Sequence, residues 1–148
     1  MGRIRAMWKE LLGMDGLVME WNPYGGRMSE ILGDETAYPH RAGNLFKIEY
    51  DFKWHKEGKE AEDHHVELSR RLCKFMTPYV SKSPREAFFN YRDLDLGTNS
   101  GRFAKTSAKF GEIYYGNNFR RLLKVKFEVD PGNFFRNEQS IPPIINLI

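Results

Sequence analysis

The sequence predicts an α+β fold with at least three strands and three or four helices. Three observations carry this expectation. Leu45 to Trp54 alternates strictly between apolar and ionisable side chains, the period of a strand with one buried face. Stretches around Met7, Leu72 and Leu122 instead repeat their apolar residues at helical spacing. No internal repeat is visible that would turn this mixture into a solenoid or an array.

Taken in order, Ile4, Met7, Trp8, Leu11 and Leu12 form a helical stripe that Gly13 and Gly16 end. Gly16 to Trp21 is short and apolar and reads as a strand. Asn22-Pro23-Tyr24-Gly25-Gly26 is turn chemistry: proline fixes one φ, and the glycines permit positive φ or a close backbone approach. Arg27 to Leu32 reads as a short helical turn or a bridge, and Glu35 to Asn44 as a loop. On the long strand, Phe46, Ile48, Tyr50, Phe52 and Trp54 share one face, and Lys47, Glu49, Asp51 and Lys53 the other. A row of ionisable groups on a sheet usually meets water. Covered by another domain, Lys47 and Glu49 would instead form a desolvated pair suited to proton transfer or to hydrogen bonding a substrate.

Glu60 to Tyr79 is a helix with Val66, Leu68, Leu72, Cys73, Phe75, Met76 and Tyr79 on its apolar stripe. Its acids come early and Arg70, Arg71 and Lys74 late, which suits the helix dipole. Cys73 lies within the stripe and reads as core rather than as a reactive thiol. His64 has Glu60 and Glu67 at helical spacing, but loose acids on a solvated helix face rarely hold a metal. Pro78 and Pro84 bracket a turn, and Glu86 to Tyr91 reads as a further strand. The stretch from Phe88 to Gly97 delivers Asn90 and Tyr91 to the start of an Asp-rich turn. It could wall a flat polar ligand, or it could simply be a strand that ends there; on pattern alone the second is the plainer reading.

Thr98 to Arg102 is a polar loop with Gly101. Phe103 to Tyr115 is a helix that Gly116 ends, and Asn117 or Asn118 can cap the next one. That helix carries Phe119, Leu122, Leu123 and Val125 and stops at Asp130-Pro131-Gly132. The tail holds Phe134-Phe135 and then Pro142-Pro143, an extended segment whose apolar side chains need something to pack on.

Composition bounds the function. A chain of 148 residues with 41% apolar residues suffices for one globular domain with one core. Its 23 basic and 20 acidic residues are interspersed and leave a net charge of +3, which argues against a dedicated nucleic-acid protein. Arg120, Arg121, Lys124 and Lys126 beside aromatics are the residues on which a weak nucleic-acid reading would rest, and four basic residues on a helix usually form a solvated face. One cysteine allows no internal disulfide, no apolar run reaches transmembrane length, and Met1 to Leu12 lacks the apolar core of a secretory signal. Nucleotide-binding glycine loops, a nucleophile elbow and Cys-x-x-Cys are all absent.

One ordered series goes further. Asn22-Pro23-Tyr24-Gly25-Gly26-Arg27-Met28, Pro39-His40-Arg41-Ala42-Gly43-Asn44 and Asn90-Tyr91-Arg92-Asp93-Leu94-Asp95-Leu96-Gly97 follow one another. Asn118-Phe119-Arg120-Arg121-Leu122, Val129-Asp130-Pro131 and Asn133 to Pro143 complete it. From about Trp8 to Pro143 this resembles the C-terminal portion of plant berberine bridge enzyme-like flavoproteins. The resemblance implies an antiparallel sheet covered by helices on one face, the incomplete substrate-domain part of a vanillyl-alcohol-oxidase-like flavoprotein. It implies a partial substrate-binding domain over residues 1–86 and a berberine-like C-terminal domain over residues 87–148.

By the same resemblance, Tyr91 reaches the flavin and substrate and serves as a base in some members, Asn90 lies beside the flavin ring, and Lys47 and Glu49 point at the substrate. Many plant members resemble Lys-x-Gln at that last place; Glu49 is similar to the base of the alkaloid-forming members. Phe110 stands where the family usually shows tryptophan. The implied cofactor is FAD, and the implied substrate a small alcohol, phenol, carbohydrate or alkaloid. Members are typically secreted, cell-wall or vacuolar. The flavin-attaching histidine and cysteine have no counterpart here, so the expectation is a C-terminal fragment, inactive alone, that needs an N-terminal flavin domain. The alternative is a non-catalytic, degenerate interaction fragment without flavin.

Overall fold

Apolar periodicity and turn chemistry divide the described residues into five α-helices and two strands. The computed structural model describes residues 2–99 and 103–143, so parts of the predicted polar loop (100–102) and of the tail (144–148) lie outside the described residues. In chain order the elements are α1 (Gly2–Leu12), β1 (Leu17–Pro23), α2 (Arg27–Glu30), β2 (Phe46–Phe52), α3 (Lys59–Met76), α4 (Phe103–Tyr115) and α5 (Phe119–Val129). They form two compact units. The first contains Met1–Pro23 and Phe46–Lys82, and the second Tyr24–Leu45 and Ser83–Ile148.

In the first unit, β1 and β2 pair antiparallel with Leu17 opposite Phe52, Met19 opposite Tyr50 and Trp21 opposite Ile48. The alternation in the sequence therefore has a physical counterpart. Leu17, Met19, Ile48, Tyr50 and Phe52 face Leu11 of α1, Met14 in the turn after it, and Leu72 and Met76 of α3. Burying side chains of this size contributes about 1.5–3 kcal/mol each. The sheet starts at a close approach: Lys53 N–H donates to the Gly16 carbonyl at 2.9 Å. Gly16 has φ +72°, and a Cβ there would lie 2.3 Å from the Lys53 carbonyl oxygen, so only glycine fits. The helices cover one face of the sheet, as expected.

The apolar stripes are narrower than the sequence implied. On α3 the buried residues are Ala61, His65, Leu72 and Met76. Val66 and Cys73 each sit one residue further round, about 100° off that line, and are exposed. Cys73 is therefore a surface residue and not core. His65 takes the buried place: its Nδ1 lies 2.7 Å from the Ala61 carbonyl oxygen, and Trp54 stacks on its ring at 4.5 Å. Trp54 thus packs on a helix, past the end of β2, rather than extending the strand.

The second unit is built on α4 and α5, joined by a 3-10 turn at Gly116–Asn118. Phe110, Tyr114, Phe119 and Leu123 form its buried apolar centre. Gly111 sets how closely the helices meet: a Cβ there would lie 2.2 Å from the Phe119 ring. Asn118 does not cap α5 with its side chain. Its Nδ2 instead donates to the carbonyls of Gly33 at 2.7 Å and Thr36 at 3.1 Å, and Arg121 donates to the Asp34 carbonyl at 2.9 Å. The amide serves the loop because that irregular backbone offers carbonyls no helix or sheet would satisfy. At the far end of α5, the Asp130 carboxylate accepts from the backbone N–H groups of Phe134 and Phe135 and pairs with Lys126. That pairing holds the Asp130 carboxyl below its ordinary range, with the two backbone donors adding to it.

The segment from Glu86 to Tyr91 is not a strand, so among the described residues the sheet has two strands rather than three. Its aromatics do not alternate across a sheet. Phe89 packs on Tyr114 and Tyr115 with ring centroids 5.6 Å away in both cases, and Ala87 N–H donates to the Ile113 carbonyl. The rings found a helix to pack on, and the backbone followed them.

Candidate functional site

Tyr91 ends a stack of rings in the second unit. Its backbone N–H donates to the Phe88 carbonyl at 2.9 Å, which closes a turn and brings the two rings edge to face at 5.1 Å. Phe88 meets Tyr38 at 5.7 Å, and Tyr38 meets His40 at 5.2 Å and Tyr24 at 6.4 Å. The hydroxyls of Tyr24 and Tyr38 hydrogen bond to each other, and the Arg41 guanidinium lies 5.1 Å from the Tyr38 ring centre. Three separated sequence motifs thus meet in one stack, each edge-to-face contact contributing about 0.5–1.5 kcal/mol. Burial pushes the Tyr24 hydroxyl up from its ordinary pKa, opposed by Arg41. His40 is buried, with Nδ1 3.6 Å from a Glu86 carboxylate oxygen and a shielded Nε2 that has no hydrogen-bond partner.

Asn90 is exposed and Tyr91 half-buried, which presents an amide and a phenol side by side at a surface turn. The backbone just beyond them is held from the tail. The Gln139 Nε2 donates to the carbonyls of Asp93 at 2.8 Å and Gly97 at 2.7 Å. Tyr114 donates its hydroxyl proton to Gln139 Oε1 at 3.0 Å and accepts from the Asp93 N–H at 3.0 Å. Burial raises the Tyr114 pKa, and its bond from the Asp93 backbone pulls the other way. Arg92 pairs with Glu138 at 2.6 Å, and Asn99 donates to the Ser140 carbonyl at 2.6 Å.

In the first unit, Lys47 and Glu49 lie on the outward face of β2 and are half-buried. Asn22 stands opposite Lys47, Glu20 opposite Glu49 and Val18 opposite Asp51. Two carboxylates therefore share this face as direct cross-strand neighbours. The structure brings Lys47 and Glu49 together on one strand, and Asn90 and Tyr91 together on one turn.

Pattern alone missed Tyr24, Tyr38, His40, Tyr114, Gln139 and Glu20. The first three stood in segments read as turn or loop, and Gln139 lay in a tail read as extended. Only the register of the pairing reveals Glu20. His64 gains no metal partners: among the described residues no group of three or more His, Cys, Asp or Glu side chains could hold an ion. Of the basic residues on α5, Arg121 is committed to backbone carbonyls, and Lys126 to Asp130 and the Phe135 carbonyl. No helix among the described residues is long and apolar enough to cross a membrane.

The residues present fit one part of a flavin. An exposed carboxamide and a half-buried phenol at the end of an aromatic stack match the polar edge of a flat ring. A cleft of about 500 Å³, lined by Thr98, Asn99, Gly132, Asn133, Arg136, Asn137, Glu138 and Ser140, includes none of the four candidate residues.

Comparisons with known proteins address the family to which the chain is similar. The family model described as "Berberine and berberine like" matches residues 87–142. Berberine bridge enzyme-like 14 of Arabidopsis thaliana is 50% identical over 139 residues, which are 94% of this chain and 26% of that protein. The solved structure of the Arabidopsis thaliana BBE-like protein #28 superposes with a TM-score of 0.83 at 37% identity, over 97% of this chain and 31% of that one. A variant of berberine bridge enzyme in complex with (S)-reticuline gives 0.79 at 34% identity, over 87% and 27%. The fold is thus an α+β piece of the kind these flavoproteins contain. The chain belongs to the berberine bridge enzyme-like family and corresponds to its C-terminal portion. It spans about a quarter of the length of the curated relatives it matches.

Proposed function

We propose that the chain is the substrate-side portion of an FAD-linked oxidoreductase that oxidises an alcohol-type or phenolic small molecule. The observation that carries this is the ring stack ending in Tyr91, with Asn90 exposed beside it, within a sequence about half identical to berberine bridge enzyme-like proteins. A bound flavin would supply the hydride acceptor. The chain's own residues do the rest. Tyr91 or Glu49 takes the proton from the substrate hydroxyl, a contribution of about 10²–10⁴-fold for a positioned base. Lys47 hydrogen bonds the substrate, and Asn90 the polar edge of the ring. Substrates in the range of the reticuline held by the berberine bridge enzyme variant are consistent with this set. The chain alone would not retain FAD, and an N-terminal flavin domain would complete it.

Coexpression with the N-terminal portion of an Arabidopsis berberine bridge enzyme-like protein tests the reading. A complex that holds flavin and is bleached by substrate is expected, with Tyr91→Phe or Glu49→Gln slowing bleaching at least about 100-fold. Unchanged bleaching in both variants would overturn the assignment of the base, and a yellow, flavin-bearing chain purified alone would overturn the requirement for a partner domain.

A second reading is supported by the exposed apolar side chains Leu12, Val129, Phe134 and Phe135. It makes the chain a non-catalytic interaction fragment, which should self-associate. A clean monomer by light scattering would count against it.

A further inference from the structure

Residues 89 and 93 flank the Asn90–Arg92 turn, and one side chain touches both. The Tyr114 ring packs edge to face on Phe89 at 5.6 Å, while its hydroxyl accepts from the Asp93 N–H at 3.0 Å. Behind it stands Gln139, which is fully buried. Its carboxamide meets two carbonyl acceptors, Asp93 and Gly97, and one hydroxyl donor. That environment specifies the residue type. Only a carboxamide offers two N–H donors and an acceptor on one planar group; glutamate lacks the donors, and lysine or arginine the acceptor. The two carbonyls bracket the 3-10 turn at Leu94–Leu96, so the amide closes that turn from inside. A buried network with every member satisfied rigidifies what it touches.

We propose that Gln139, acting with Tyr114, is a positioning residue: it fixes the Asp93–Gly97 turn and thereby sets the direction in which Asn90 and Tyr91 are presented to a ligand. The functional meaning of that direction rests on the reading of Asn90 and Tyr91 given above; the geometry does not. The tail after α5 is therefore part of the site although none of its residues need touch the substrate. Gln139 sets the turn beyond Tyr91, as the Phe88 stack sets the turn before it.

The test is nuclear magnetic resonance of the isotope-labelled chain, which needs no flavin and so succeeds or fails independently of the coexpression experiment. In Gln139→Leu, the Asn90 side-chain amide and Tyr91 ring signals should shift by more than a linewidth, while the methyls of Leu72 in the first unit stay in place. In Tyr114→Phe, which keeps the ring on Phe89, the Asp93 amide should exchange at least about tenfold faster. Gln139→Glu gives the discriminating readout. Its carboxylate cannot donate, but its protonated form regains one donor, so acidification should return the Tyr91 signals toward the wild-type positions. Unmoved Asn90 and Tyr91 signals in both Gln139→Leu and Tyr114→Phe would overturn the proposal, as would a Gln139→Glu chain whose Tyr91 signals ignore acid. If Gln139→Leu does not fold, Tyr114→Phe and Gln139→Glu decide.

Discussion

The two units solve the same problem with different chemistry. The first buries Leu11, Met14, Leu72 and Met76 against a two-stranded sheet, and its ion pairs, Arg71 with Glu10 at 2.8 Å, Lys59 with Asp63 at 3.1 Å and Lys53 with Asp51 at 3.6 Å, sit at the surface. Such exposed pairs contribute about 0–1 kcal/mol, so apolar burial decides. The second unit holds most of the buried polar side chains: His40, Ser107, Asn118, Asp130 and Gln139, against His65 in the first. The difference follows from backbone. A helix or a sheet satisfies its own N–H and C=O groups, whereas loops 33–36 and 93–97 need side chains to do it. Buried amides of the second unit accordingly serve irregular backbone, Asn118 at residues 33–36 and Gln139 at residues 93–97.

Breaking each kind of support should show the contrast. Leu72→Ala empties a fully buried place and should cost about 2–5 kcal/mol in denaturant unfolding; a loss under about 1 kcal/mol would deny the first unit its apolar logic. Asn118→Ala removes the amide donor from the Gly33 carbonyl and leaves the Thr36 carbonyl only the Arg121 guanidinium at 3.3 Å. It should cost about 1–3 kcal/mol, with faster hydrogen exchange concentrated in residues 33–36. A uniform change in exchange would make Asn118 a general packing residue instead.

The smallest effect is a base-side pH dependence. Burial, with Tyr114 as a lesser cause, pushes the Tyr115 hydroxyl up to about 12. An unfolded tyrosine ionises near about 10. The folded state thus keeps its proton while the unfolded state loses one, and this component of stability is complete below pH of about 10 and is lost as pH rises toward about 12. Tyr24 and Tyr114 shift in the same direction, so the variant isolates the contribution. Tyr115→Phe should narrow the difference in unfolding midpoint between pH about 8 and about 11, and an unchanged difference would assign the dependence to other groups.

Legibility in the sequence followed the same division. Period-2 alternation found β2 and the inward face of Ile48, Tyr50 and Phe52, and helical spacing found α1, α3, α4 and α5. Their stripes were drawn too wide, because Val66 and Cys73 are apolar by type but stand one residue off the buried line. The supposed strand at Glu86 to Tyr91 failed for a different reason. Aromatic runs favour strands only where a sheet edge is available, and Phe89 had α4 to pack on. Of the candidate site, Asn90, Tyr91, Lys47 and Glu49 could be named from ordered motifs and alternation. Their supports could not: a hydrogen bond from Gln139 to Asp93 joins residues far apart in sequence and leaves no periodic trace.

The stacking of Trp54 on His65 belongs to a wider arrangement of chromophores. Trp8, Trp21 and Trp54 all fall in the first unit, and five of the seven tyrosines, Tyr24, Tyr38, Tyr91, Tyr114 and Tyr115, fall in the second. The chain is therefore optically partitioned by its own composition. Indole emission reports on the sheet and α3, near-ultraviolet phenol dichroism is weighted toward the turn that carries Tyr91, and the melting of each half can be followed in one unlabelled sample.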